Sequence, residues 1–182
     1  NNKSNEINLP YKTNHYIIYI GDRKSTYKNF RLIPELIQQC NLNLILIGGG
    51  KLNKNEKIML KKSKFYHYEN INETKLNVCY KNAFALVYPS VIEGFGIPIL
   101  EAQMNGCPVI CINKNPMREV AGKGAILIEN SLVEFIKALD LLKNLKSRNK
   151  IVKLGYLNCK RFSWEKNYSD TLDFYKYLYN LG

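Results

Sequence analysis

The chain has 182 residues, 46% of them hydrophobic, and carries 27 Lys and Arg against 15 Asp and Glu, a formal charge of +12. That describes one globular domain with a real core, or at most two very small ones, and excludes an unfolded chain. Its apolar runs are far too short to cross a bilayer, and its polar, Asn-rich start has no apolar signal segment.

Residues 1–14 are polar and read as a leader or interdomain linker, with the working domain over 15–182; the absence of an initiator Met suggests a piece of something longer. Tyr16 to Ile20 is aromatic and β-branched, a strand pattern. The polar loop GDRKSTYKN follows, carrying Arg23, Lys24 and Lys28. Phe30 to Cys40 has helical spacing, with apolar residues at Phe30, Ile33, Leu36 and Ile37. Leu42 to Ile47 is a second strand, closed by Gly48, Gly49 and Gly50. Lys51 to Lys62 has weak helical periodicity, and Phe65 to Tyr68 is a short strand. Asn72 or Thr74 caps a helix to about Lys81. Ala83 to Val87 is a fourth strand.

A helix from Ile97 to Asn105 comes next, stopped by Gly106. Pro108 to Ile112 is a strand, Asn113 to Gly124 a loop, and Ala125 to Ile128 a last short strand. Ser131 caps a helix over Leu132 to Leu142, and Ser147 caps another to Cys159. Trp164 to Leu181 is helical, with Trp164, Tyr168, Leu172 and Tyr175 in register. Strands alternating with helices over short connections predict an α/β domain: an open parallel sheet with helices on both faces.

One stretch stands above the rest: YPSVIEGFGIPILEA, Tyr88 to Ala102. Gly94 and Gly96 let the backbone turn tightly around Phe95, and amides at the following helix start can cradle a phosphate or hydroxyl oxygens. Glu93 and Glu101 can face one crevice at the carboxyl end of a strand, where open parallel sheets bind ligands. A carboxylate suits vicinal sugar hydroxyls because it only accepts; Arg and Lys suit a diphosphate. Singly, each feature also reads as a plain turn, a solvated Glu or a basic surface loop. In a parallel sheet they converge on one edge, which favours a sugar-nucleotide site.

Other chemistries lack support. Gly48 to Gly50 is not followed by GK[ST], which excludes a P-loop, and the first strand is not followed by GxGxxG. No HExxH or GxSxG occurs, and Cys40, Cys79, Cys107, Cys111 and Cys159 make no disulfide frame or zinc spacing. That cysteine usage predicts a reducing, cytoplasmic setting. His15 and His67 have no companions that would make them metal ligands. The charge admits an anionic lipid, a phosphorylated small molecule or nucleic acid. Packing explains many of the thirteen tyrosines, while Tyr175, Tyr177 and Tyr179 cannot share one helix face and some of them must be exposed or meet a partner domain; nucleic acid is not the expected partner.

Arg23 and Lys28, YPSVIEGFGIPILEA, GCPVI at Gly106 to Ile110, REVAG at Arg118 to Gly122 and RFSWEK at Arg161 to Lys166 occur in order. Together they resemble the C-terminal, donor-binding domain of the retaining glycosyltransferases of family 4, over roughly Tyr16 to Tyr179. The resemblance implies a Rossmann-like half of a GT-B fold that binds a nucleotide sugar, GDP- or UDP-linked, with no metal or other cofactor. It implies that Glu101 holds the ribose hydroxyls and that Glu93 orients the donor sugar. The backbone of Gly94, Phe95, Gly96 and Ile97 would contact sugar and phosphate, while Arg23 and Lys28 grip the diphosphate. KSTYKN resembles members that use GDP-mannose in surface-polysaccharide assembly.

Two departures stand out: NKNPM occupies Asn113 to Met117 where a glycine pair is usual, and Asp22 separates Gly21 from Arg23. The N-terminal domain of the family has no counterpart here. The resemblance therefore implies an incomplete half, inactive alone, that needs that domain or another chain, and a last helix exposing apolar surface. A lipid-linked or oligosaccharide acceptor follows. An anionic inner membrane surface is a further candidate partner, through the basic run Lys143 to Lys153. A stand-alone nucleotide-sugar-binding module and a glycogen-type synthase domain are the alternatives.

Overall fold

The computed structural model describes residues 8–180. The first half of the expected linker, residues 1–7, and the end of the expected last helix at Leu181 lie outside the described residues. Residues 9–14 lie against the domain: Leu9 and Tyr11 pack on its core, and Asn14 N–H donates to the Asn82 carbonyl at 2.8 Å.

Six strands form one parallel sheet in the order β3-β2-β1-β4-β5-β6. They are β1 (Tyr16–Ile20), β2 (Asn43–Ile47), β3 (Phe65–Tyr68), β4 (Ala85–Tyr88), β5 (Val109–Ile112) and β6 (Ala125–Ile128). The central strands are apolar at nearly every position because both faces are covered. Ile18, Ile45, Leu86, Val109 and Cys111 meet one helical layer; Ile17, Leu44, Leu46, Val87 and Ile110 meet the other. The chain leaves β1 toward β2 on one side and returns to β4 on the other. That reversal opens a crevice at the carboxyl ends of β1 and β4.

The helices are α1 (Leu32–Cys40), α2 (Lys54–Leu60), α3 (Glu73–Asn82), α4 (Ile97–Met104), α5 (Met117–Ala121), α6 (Leu132–Lys143), α7 (Leu145–Cys159) and α8 (Trp164–Tyr179). α1 begins two residues later than its periodicity predicts, because Phe30 is spent on an edge-to-face contact with Tyr19, 5.2 Å between centroids. Asn53 and Glu56 form a reciprocal capping box on α2, and Asn72 caps α3. Ser163 caps α8, its hydroxyl accepting from Lys166 N–H. The cap of α7 is Asn144 and not Ser147, whose N–H is the donor. Ser131 occupies the first cap position of α6 without a side-chain bond.

α5 lies inside the segment expected to be a loop. Its single turn buries Met117, Val120 and Ala121, a spacing of three and four that is too short to register as periodicity. α7 is tied in by polar contacts. Asn158 donates to Gln103 of α4 at 2.8 Å and to the Val120 carbonyl at 2.7 Å, and Gln103 donates to the Ala121 carbonyl at 2.9 Å. Arg148 donates to the carbonyls of Phe84 (2.5 Å) and Ala83 (3.0 Å) just before β4. It is therefore an internal strut, which removes it from the basic surface expected over Lys143 to Lys153. α8 buries none of its residues. Among the described residues no helix is long and apolar enough to cross a membrane.

Candidate functional site

The loop after β1 is built by Asp22. Its carboxylate accepts from Lys24 N–H and Ser25 N–H, both at 3.0 Å, and from the Ser25 hydroxyl. The Ser25 bond leads the causes that hold the Asp22 carboxyl below its ordinary range. Buried Tyr19 braces the loop from beneath, donating to the Asp22 carbonyl at 3.0 Å. The residue that departs from the expected Gly-Arg spacing is thus the loop's organiser. The loop ends in a short 3₁₀ turn, Thr26–Lys28, which delivers Lys28 to the crevice.

There Lys28 Nζ meets Glu93 Oε1 at 2.6 Å, and Tyr88 Oη donates to the same oxygen at 2.6 Å. The two charged side chains are only 15% and 10% exposed, so solvent screens the pair little. Burial pushes the Glu93 carboxyl up, but hydrogen bonds from Lys28, Tyr88 and Ser90 outweigh it and hold it below its usual value. Burial, then the bond to Glu93, drives the Tyr88 phenol upward, so it stays a donor. Gly96, with φ +99°, opens α4 beside this pair. A side chain there would be strained; Pro98 has no N–H and the Ile99 N–H donates to the Gly96 carbonyl at 3.0 Å, so of the first three residues of α4 only Ile97 can offer an amide to the crevice. The hollow measures about 280 Å³ and is lined by Gly21 and Lys28 on one wall and by Tyr88, Glu93 and residues 95–98 on the other.

Glu101 lies a turn farther along α4, outside that lining, and accepts from Tyr80 Oη of α3 at 3.0 Å. Phe95, at the tip of the loop, is 44% exposed and meets Phe162 edge to face at 5.8 Å. Gly94 is exposed beside it, and Ile97 stands 56% exposed at the start of α4.

Arg23, expected to grip a diphosphate, is buried and does not line this hollow. Its side chain is 1% exposed, and four of the five N–H groups of its guanidinium donate to oxygen. Nε donates to Glu56 at 3.1 Å, Nη1 to the Gly48 carbonyl and, at 3.4 Å, toward His67 Nε2; Nη2 donates to the carbonyls of Gly49 (3.2 Å) and Gly50 (2.6 Å). The three glycines take φ of +77°, +71° and +67°, which turns their carbonyls onto the cation. A Cβ at Gly49 would stand 2.5 Å from Arg23 Nη1. The glycine run after β2 grips an arginine, and His67 is part of that packing.

Lys28, Glu93, Gly96 and Ile97 are therefore brought into one hollow, with Glu101 on the same helix and Arg23 beneath the neighbouring loop. Tyr88, Tyr80 and Glu56 were not singled out by sequence reasoning. Tyr88 opens the stretch that carries both glutamates, a position that could have marked it; Glu56 is 33 residues from Arg23 and carried no signal. Among the described residues no three His, Cys, Asp or Glu side chains gather to hold a metal. A second hollow of about 370 Å³, bordered by Asn41, Lys62 and Lys64, lies at the opposite edge of the sheet.

Residues 1–158 match the family profile described as glycosyl transferases group 1. The chain belongs to that family. This glycosyltransferase domain is 36% identical over 110 residues to O-antigen chain mannosyltransferase B of Escherichia coli, a match covering 59% of the domain and 29% of that protein. It superposes on sucrose-phosphate synthase from Thermosynechococcus elongatus with a TM-score of 0.78 at 19% identity, over 92% of this chain and 46% of that one. It also matches the C-terminal domain of a glycosyl transferase group 1 family protein from Francisella tularensis, with a TM-score of 0.68 at 22% identity, over 82% and 87% of the two chains. The fold is the Rossmann-like domain of a GT-B glycosyltransferase. Matches to the curated relatives span from 25% to 42% of their lengths.

Proposed function

We propose that this domain binds a nucleoside diphosphate sugar across the carboxyl ends of β1 and β4 and presents the sugar for transfer with retention of configuration. The observation that carries the reading is the Lys28–Glu93 pair at 2.6 Å, set beside the N-terminus of α4. A cation, a carboxylate and the positive end of α4 with the Ile97 amide, set around one hollow, match the three parts of such a donor: diphosphate, sugar hydroxyls and the charge that develops on the leaving phosphate.

In this reading Lys28 exchanges Glu93 for the diphosphate as its ion-pair partner, and Glu93, released, accepts from sugar hydroxyls. The backbone of residues 94–97 contacts sugar and phosphate, and Glu101 accepts from the ribose diol. Arg23 contributes by fixing the glycine loop. The leaving phosphate assists deprotonation of the acceptor on the same face. No metal is required, because Lys28 and the positive end of α4 supply the positive field. The likeness to a mannosyltransferase favours GDP-mannose, with a lipid-linked or oligosaccharide acceptor at the inner face of the cytoplasmic membrane. The length absent relative to the curated proteins would supply the acceptor side and cover α8.

Calorimetric titration of the 182-residue chain with GDP-mannose, UDP-glucose and ADP-glucose tests the donor site. Saturable binding, strongest for GDP-mannose, is expected. A folded chain that binds none of the three overturns the reading.

A further inference from the structure

α7 contains no acidic residue. Its inner side is committed to the body through Arg148, Gly155 and Asn158. Its outer side is unlike an ordinary solvated helix face. At 100° per residue, Lys146, Lys150, Lys153 and the terminal Lys160 fall within about 80° of one another, and Leu145, Tyr156 and Leu157 fall among or beside them. All four lysines are exposed, and none makes an ion pair among the described residues. Leu145 is 73% exposed, Leu157 51% and Tyr156 47%. The neighbouring acids Glu134 and Asp140 of α6 are already held by Lys137 and Lys143.

We propose that this face of α7 docks on an anionic phospholipid surface. Solvation accounts for the lysines but not for exposed Leu157 among them, nor for Leu145 and Tyr156 along one border of the face. Lipid phosphates lying over an apolar layer satisfy both at once. A nucleic acid would satisfy the lysines and offer nothing to Leu145 and Leu157. α8 exposes more apolar surface, but Glu165, Asp170 and Asp173 outnumber Lys166 and Lys176 there, so it has no preference for anions. The inference rests on the membrane-side setting proposed above and not on the donor-site assignment. The docking surface is α7 alone, with Arg148 excluded as a strut.

Co-sedimentation of the 182-residue chain with phosphatidylcholine vesicles, with and without phosphatidylglycerol, tests this. Binding is expected only with phosphatidylglycerol, and it weakens as salt rises. Lys150→Gln with Lys153→Gln lowers the partition coefficient about 25-fold, about fivefold per lysine. Leu145→Ser with Leu157→Ser weakens binding without changing its salt dependence. Trp164→Ser with Tyr168→Ser, on α8, leaves the phosphatidylglycerol preference intact. Circular dichroism and GDP-mannose titration of the same samples separate outcomes: vesicle binding without nucleotide binding sinks the donor reading and leaves this one standing. No binding to phosphatidylglycerol vesicles by folded protein overturns the proposal, as does partition unchanged in both α7 variants. So does loss of single-stranded RNA binding, in place of vesicle binding, in the lysine variant.

Discussion

Glu93 has two donors on one oxygen before any ligand arrives, and this shapes what a substitution there should do. Glu93→Gln releases Lys28 from its counter-charge. A nucleoside diphosphate without sugar should then bind about tenfold more tightly, the order of one charged hydrogen bond, while the preference for the sugar-bearing donor falls; titration of both ligands reads the two effects separately. The same group has a pH signature. Its folded pKa lies below its ordinary value, so its stabilisation is present above the unfolded pKa and is lost as pH falls through the folded one. Urea unfolding from about pH 5 down to about pH 3 should show a steeper loss in the native chain than in Glu93→Gln. Arg23 is the opposite kind of residue. Arg23→Ala leaves buried Glu56 without its counter-charge and removes a donor from the carbonyls of Gly48, Gly49 and Gly50, and should cost about 3–5 kcal/mol by chemical denaturation. A solvent-facing phosphate ligand would cost almost nothing.

Elements were legible where an apolar run or a helical spacing of at least two turns marks them. β1, β3 and β6 have the bounds their apolar runs predict, and β2, β4 and β5 shift by one or two residues, since hydrogen bonding and not hydrophobicity ends a strand. α5 was hidden because one turn has no period to detect. The bonds that lock α4, α5 and α7 together were hidden for another reason: Gln103 and Asn158 read as surface polar residues until packing buries them to 1% and 6% exposure. Asn158→Leu should destabilise by about 1–3 kcal/mol for each buried group it orphans, at Gln103 and at Val120, as read by thermal or urea unfolding. Replacing Asp173, whose lysine partner lies at 3.7 Å on an exposed face, should change stability by less than about 0.5 kcal/mol.

At the scale of the molecule, α8 buries nothing while leaving Trp164 82%, Tyr168 71% and Tyr179 87% exposed. A helix with that much apolar surface has no stable place in water by itself. The match to less than half of each curated relative accounts for it within the proposed function. The purified 182 residues should bind donor yet show no steady transfer to any acceptor, because an open half-site neither orients an acceptor nor excludes water. A radiolabelled-sugar transfer assay checks this, and sustained turnover would show the chain to be complete in function.

The sequence by itself determined the parallel α/β architecture, the crevice at the carboxyl edge and the convergence there of the loop that carries Lys28 and the loop that carries Glu93. Each follows from local periodicity and from the rule that parallel strands point their carboxyl ends one way. Only the tertiary structure decided that Arg23 is buried against Glu56 and the glycine loop, that Tyr88 holds Glu93, and that Arg148 leaves the surface while Lys153 and Lys160 remain on it. Those outcomes depend on which side chains meet across long separations, and a charged residue's pattern in the chain is the same whether water or a buried partner receives it.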